Sequence, residues 1–143
     1  MSCLENLNKN LQAALALHVN AKFAHWNVRG PGFFSIHKLF DDLQAAALDW
    51  ADTMAEQVGY MEEEAQGTAK QAANSYLGPY KVGVADEKAH VNAILEQLEK
   101  FEEKTRKAID DALEEGDQPV ADIFIEVTRG ACKYIYLFQS HLK

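Results

Sequence analysis

The sequence predicts an all-α protein, a four-helix bundle with a short extra helix in the connection between helices two and three. Three observations support this prediction. Apolar residues recur at helical spacing through four long segments. The 3 prolines fall between those segments or in a first helical turn. Strand-type alternation is absent, and the short KVGVA stretch is interpreted as loop.

Helix one is predicted over residues 4–28. Ser2 is a suitable N-cap, and Glu5, three residues later, completes a capping box. The helix should end within residues 27–32, because the sequence Gly-Pro-Gly at positions 30–32 enforces a turn.

Helix two should begin near Ser35, a plausible N-cap, and run to about Glu64. Gly59 costs on the order of 1 kcal/mol relative to alanine inside a helix, which permits a bend or early fraying there. The remaining helices are bounded by turn residues: a short one from Thr68 to Leu77 before Gly78 and Pro79, a long third from Asp86 to Glu115 before Gly116, and a fourth from Pro119 to Leu142.

Composition limits the classes of function. A chain of 143 residues forms one domain, residues 1–143, with a sizeable core. Its net charge of −8 disfavours a constitutive nucleic-acid surface and favours attraction of cations. The apolar runs are too short to span a membrane. Cys3 and Cys132 form no disulfide framework, so a cytoplasmic location is expected.

Helix two carries four possible metal ligands on an otherwise apolar pattern: His37, Asp41, Asp52 and Glu56. At about 100° per residue they fall at roughly 0°, 40°, 60° and 100°, which is one stripe. Such groups are costly on a buried face unless they are paired or coordinated. The alternative is a solvated acidic face with no metal.

The two ends of this stripe are too far apart for one metal centre. His37 and Glu56 are separated by roughly 28 Å along the helix. The His37–Glu56 and Asp41–Asp52 pairs, however, share one midpoint, between Ala46 and Ala47. An antiparallel copy of the helix would therefore set the histidine end of one subunit opposite the acidic end of another. The residues Ala45-Ala46-Ala47 are small enough to permit a close approach.

The other histidines receive different interpretations. His25 should lie near His37, because helix one packs antiparallel to helix two across a short turn. His18 is interpreted as structural. Glu87-x-x-His90 has the i,i+3 spacing of di-iron helical bundles, but such a bundle needs two of these pairs, and the single pair here is interpreted as a chance occurrence.

The run HWNVRGPGFFSIHKLFDD, followed by DWADTMAE, resembles the signature of the Dps proteins, which are ferritin-like mini-ferritins. The resemblance spans essentially the whole chain. It implies a ferritin-like domain that assembles into a homo-dodecameric hollow shell. It also implies ferroxidase centres at dimer interfaces, with His25, His37 and Asp41 from one subunit and Asp52 and Glu56 from its mate.

The implied chemistry is oxidation of Fe(II), with hydrogen peroxide as the preferred oxidant and ferric mineral stored inside the shell. Imidazole and carboxylate ligands suit iron, although Zn(II) would fit them too. Two further residues match positions near the family's centre. Trp26 is a possible electron donor with packing as the alternative, and Lys22 is a possible partner of a centre carboxylate.

The resemblance also implies acidic pores for iron entry, for which Glu114, Asp117 and Asp122 are the candidates. Glu115 is interpreted as a solvated helix end. An acidic pore raises the local cation concentration. Leu113 and Gln118 stand where other members carry an acid, which predicts a less charged pore.

The family name refers to DNA, and DNA-binding nucleoid protection with little iron chemistry is the alternative function. A third possibility is a structural or zinc-binding helical oligomer. Only Lys9 and Lys22 are basic in the first 25 residues, whereas phosphate contacts need clustered Lys or Arg. The sequence therefore predicts weak DNA binding or none.

Overall fold

A computed structural model describes residues 1–143. It contains five helices and no strand: α1 (Cys3–Asn27), α2 (Phe33–Tyr60), α3 (Ala69–Ala73), α4 (Glu87–Glu114) and α5 (Gln118–Ser140). The four long helices form the predicted bundle, and α3 lies in the connection between α2 and α4. None of these helices is both long and apolar enough to cross a membrane.

The bundle is built from two helical hairpins. Short turns join α1 to α2 and α4 to α5, so each pair packs antiparallel, and contacts of α1 with α4 and of α2 with α5 unite them. One continuous core fills the space between the hairpins. Phe40, Phe101, Phe124 and Phe138 are its largest fully buried side chains.

The predicted start of helix one is confirmed. Ser2 accepts a hydrogen bond from the Glu5 amide at 3.1 Å and completes the capping box. In α4 and α5 the caps are Asp86 and Asp117, whose carboxylates accept from the amides three residues later at 3.0 and 3.1 Å. Local side-chain capping explains why these boundaries were predictable to within one or two residues.

The predicted bounds of helix two are wrong at both ends. It begins at Phe33 rather than near Ser35, and its N-cap is Gly32, which has no side chain to offer. It ends at Tyr60, because the Glu62 amide turns back to the Gly59 carbonyl and Glu62 adopts φ +60°. The early end agrees with the expected weakness at Gly59.

The short helix is also shorter than predicted. Its capping box, in which Thr68 and Gln71 exchange hydrogen bonds, is present, but the helix covers only Ala69–Ala73. From Asn74 onward the chain forms successive turns up to Gly78, which has φ +73°. Gly78 closes this run of turns with a positive φ, which residues other than glycine rarely adopt.

Candidate metal centre

The turn between α1 and α2 brings His25 and His37 together, as the sequence predicts. Their rings stack with centroids 3.7 Å apart and planes 15° from parallel. Phe33, one helical turn before His37, stacks on that imidazole at 4.7 Å. Both histidines are half-buried, so each ring is packed while part of it reaches the surface.

Each histidine is bonded to the backbone of the other. His25 Nδ1 donates to the His37 carbonyl at 2.7 Å, and His37 Nδ1 donates to the His25 carbonyl at 2.7 Å. A carbonyl oxygen can only accept, so Nδ1 carries the hydrogen in both rings. In the neutral imidazole the lone pair is then on Nε2, the arrangement typical of metal-binding histidines.

Asp41 lies one turn after His37 and is held by two side chains. Its Oδ1 accepts from Lys22 Nζ at 2.7 Å and from Gln44 Nε2 at 3.0 Å. The Lys22 hydrogen bond is the main cause that lowers the pKa of the Asp41 carboxyl below its usual value. Both partners contact the same oxygen, so Oδ2 retains its capacity to bind a cation.

Asp52 and Glu56 are exposed at the other end of α2. Neither carboxylate takes part in a salt bridge or a side-chain hydrogen bond within the chain. No group of three or more His, Cys, Asp or Glu side chains in the chain is close enough to hold a metal ion. The five predicted ligands therefore lie in two separate sets, with His25, His37 and Asp41 at one end of α2 and the two acids at the other.

The surface between the two sets differs from the prediction. Ala47 is fully buried in the core and does not line an exposed contact, whereas Ala46 is partly buried and packs against the core. Ala45 is exposed, and Leu48 is 40% exposed. Ala45 and Leu48 therefore form the most exposed part of the middle of α2, because α2 turns Ala47 inward and Ala46 partly so.

The residues around the two histidines differ in how they contact the rest of the chain. Trp26 follows His25 and is 59% exposed, so it does not pack in the core of its own subunit. His18 is tied to α2, since its Nδ1 lies 2.8 Å from the Gln44 carbonyl. Gln44 and Phe33 were missed by sequence reasoning. Their spacing of three and four residues from Asp41 and His37 is the signal that indicates them.

The predicted pore residues differ in their exposure and in the contacts they make. Glu114 and Asp122 are exposed, whereas Asp117 caps α5. Glu115 is exposed at the end of α4, as interpreted, and its carboxylate also accepts from the Cys3 amide at 3.3 Å. Burial and this carboxylate raise the pKa of the Cys3 thiol to about 12.

Comparison with known proteins assigns the family. The protein-family model of the ferritin-like domain matches residues 4–143 of this chain. The DNA protection during starvation protein of Agrobacterium fabrum is 31% identical over 138 residues, which cover 96% of this chain and 85% of the relative.

Solved structures agree with this match. The high-iron form of Dps from Microbacterium arborescens superposes with a TM-score of 0.92 at 31% identity, over 98% of this chain and 91% of that one. A Dps protein from Vibrio cholerae, described as a ferritin-like diiron-carboxylate protein, shares the fold with a TM-score of 0.91 at 18% identity, over 99% of this chain and 89% of that one. The chain is therefore a member of the Dps family of ferritin-like proteins.

Proposed function

We propose that this protein is a ferroxidase and iron-storage protein that oxidises Fe(II) at sites shared between subunits and stores ferric mineral in a dodecameric shell. One observation carries the proposal: two imidazoles with free Nε2 atoms, His25 of α1 and His37 of α2, lie at one end of α2, and unpaired carboxylates lie at its other end. Neither set of ligands alone forms a group that could hold a metal ion. Antiparallel pairing of two α2 helices would complete both.

Iron is the substrate that these ligands suit best. Imidazole nitrogen and carboxylate oxygen bind Fe(II), and the anionic carboxylates favour the Fe(III) product. The relative from Microbacterium arborescens was solved in a high-iron form, and the Vibrio cholerae protein is described as diiron-carboxylate. Both descriptions support iron over zinc as the metal handled here.

The chain's own residues define the proposed reaction. His25 and His37 would bind Fe(II) through Nε2, and Asp41 through Oδ2, while Lys22 and Gln44 hold the Asp41 carboxylate in place. Asp52 and Glu56 of the mate would supply the remaining charge. With hydrogen peroxide as oxidant, two Fe(II) lose one electron each and the peroxide, with two protons, gives two water molecules. This stoichiometry would protect the cell from oxidative damage. A cytoplasmic location remains a prediction.

Complementation between subunits tests the shared site. His25→Ala with His37→Ala, and Asp52→Ala with Glu56→Ala, should each abolish rapid Fe(II) oxidation in stopped-flow absorbance with peroxide. Co-expressed with different tags and purified through both, the two variants should recover about a quarter of the wild-type rate, because random pairing rebuilds one site in half of the dimers. Asp42→Ala with Asp49→Ala removes the same charge from α2 and serves as the control. A mixture as inactive as its parents would contradict a shared site.

A second candidate function is DNA-binding protection with little iron chemistry. The name of the Agrobacterium fabrum relative favours it. The net charge of −8 opposes it. We therefore expect weak or no DNA binding at neutral pH and moderate salt. Complete retardation of a plasmid in a low-salt gel shift would overturn this expectation.

A further inference from the structure

The start of α2 has no capping group of its own. Its N-cap is Gly32, and its first turn contains no acidic residue. The first amides of a helix need acceptors from elsewhere. Here the acceptor comes from α4, because Glu87 Oε1 receives the Gly32 N–H at 2.5 Å. A residue 55 positions away therefore caps the helix that carries His37.

The turn before α2 is shaped around this carboxylate. Gly30 has φ +150°, and a Cβ added there would lie 2.6 Å from the Glu87 carboxyl carbon. A Cβ on Gly32 would lie 3.2 Å from Glu87 Oε1. The Arg29 amide also donates to the Ala85 carbonyl at 2.7 Å. The turn and the start of α4 are thus joined by backbone and side-chain contacts.

One turn further along α4, His90 reinforces the same junction. It is fully buried, with Phe23 of α1 and Phe40 of α2 at centroid distances of 6.4 and 6.3 Å. Its Nε2 donates to the Val84 carbonyl at 2.9 Å, and the Tyr80 hydroxyl donates to its Nδ1 at 2.8 Å. Both nitrogens are occupied, so the Glu87-x-x-His90 pair does not provide a free imidazole ligand.

From these contacts we infer that Glu87 is a positioning residue for the histidine half of the metal centre. It contacts none of the five proposed ligands. It fixes Gly32 and the first turn of α2, in which Phe33 stacks on His37. The two hydrogen bonds between His25 and His37, each 2.7 Å long, depend on this placement, because they join α1 to α2 across the turn that Glu87 holds. The inference rests on the proposed iron function.

Co(II) titration of the assembled protein, followed by its d–d absorption, tests the role of Glu87. Glu87→Ala should weaken Co(II) binding about tenfold, the low end of the effect of residues that orient metal ligands. Glu87→Gln retains an oxygen acceptor and should restore affinity to within about threefold of wild type. Glu99→Ala removes the same charge from an exposed position of α4 that forms no salt bridge, so its Co(II) affinity should equal that of wild type.

Amide hydrogen exchange, measured by mass spectrometry without metal, gives a second result. Glu87→Ala should accelerate exchange in residues 32–37, whereas Glu99→Ala should not. Wild-type affinity and spectrum in Glu87→Ala would overturn the inference and leave the iron proposal intact. If the alanine variant fails to assemble, Glu87→Asp, which withdraws the carboxylate by one methylene, decides by the same criterion. Wild-type protein that binds no Co(II), or binds it unchanged after His25→Ala with His37→Ala, would overturn both proposals.

Discussion

Single glycines determine how closely the helices approach one another. Gly130 of α5 faces Trp50 of α2, and a Cβ added there would lie 2.7 Å from Trp50 Cζ2. The indole cannot retreat freely, because it stacks on Phe101 with centroids 5.7 Å apart. Gly59 is also helical, but nothing lies within 4 Å of an added Cβ. Comparing the two positions therefore separates the effect of side-chain packing on stability from the effect of helix propensity.

Alanine at these two glycines should therefore change stability in opposite directions. Gly59→Ala should stabilise by up to about 1 kcal/mol through helix propensity. Gly130→Ala gains the same propensity but should destabilise overall, because overpacking costs about 1–3 kcal/mol. Denaturant unfolding of metal-free protein, at equal protein concentration, measures both. A stabilised Gly130→Ala would show that α5 can move away from Trp50 at little cost.

The two cysteines should differ in reactivity. Cys3 is buried, and its pKa of about 12 keeps it protonated at about pH 8, whereas the thiolate is the reactive form. Cys132 is exposed in the chain. Iodoacetamide at that pH, followed by mass spectrometry, should leave Cys3 unlabelled in native protein and label it after unfolding. Rapid native labelling of Cys3 would mean that the start of α1 opens readily.

At the scale of helices, local signals and distant contacts set different boundaries. Ser2, Thr68, Asp86 and Asp117 cap their own helices, so the sequence indicates those starts directly. The start of α2 was not predictable in this way, because its cap is a carboxylate from α4. Its end was uncertain because a single glycine only weakens a helix. The histidine pairing was predictable, since a short turn forces antiparallel packing.

The Lys22–Asp41 pair joins α1 to α2 and should make stability depend on pH. The pKa of Asp41 is lowered in the folded chain, so its contribution is present above the unfolded value of about 3.9 and is lost as pH falls through the lower folded value. Lys22→Met should lower the melting temperature of metal-free protein slightly at pH 6, and by less at pH 3. Lys81→Met, which removes an exposed lysine with no salt bridge, is the control. An equal loss at both pH values would assign the effect to packing of the lysine side chain.

At the scale of the whole molecule, the proposed sites require assembly. The ligand types and their stripe could be predicted from helical periodicity, because spacing on a helix fixes direction. Which residues are exposed between the two sets of ligands could not be predicted, since Ala47 is buried in the core of its own subunit and Ala46 packs partly against that core. That distinction depends on how α2 is rotated against the bundle. Leu48 is instead the exposed apolar residue at the middle of the helix.

Leu48→Arg should therefore impair assembly, because it would place two cations close to a two-fold axis. We expect species smaller than the wild-type assembly in analytical ultracentrifugation, together with loss of rapid Fe(II) oxidation. Leu48→Ala keeps the surface apolar and should retain most of the wild-type mass. Unchanged mass and activity in the Leu48→Arg variant would exclude Leu48 from the subunit contact.

The hydrogen bonds between the two histidines make the position of each ring depend on the other residue. Each ring owes its tautomer to a carbonyl whose placement depends on the other residue, so replacing one should disorder its neighbour as well. The effects of substituting the two histidines should therefore be non-additive: the first substitution removes nearly all of the iron affinity, and the second lowers it little further. A single substitution would therefore disturb both imidazoles, so the iron affinity of one could not be varied independently of the other.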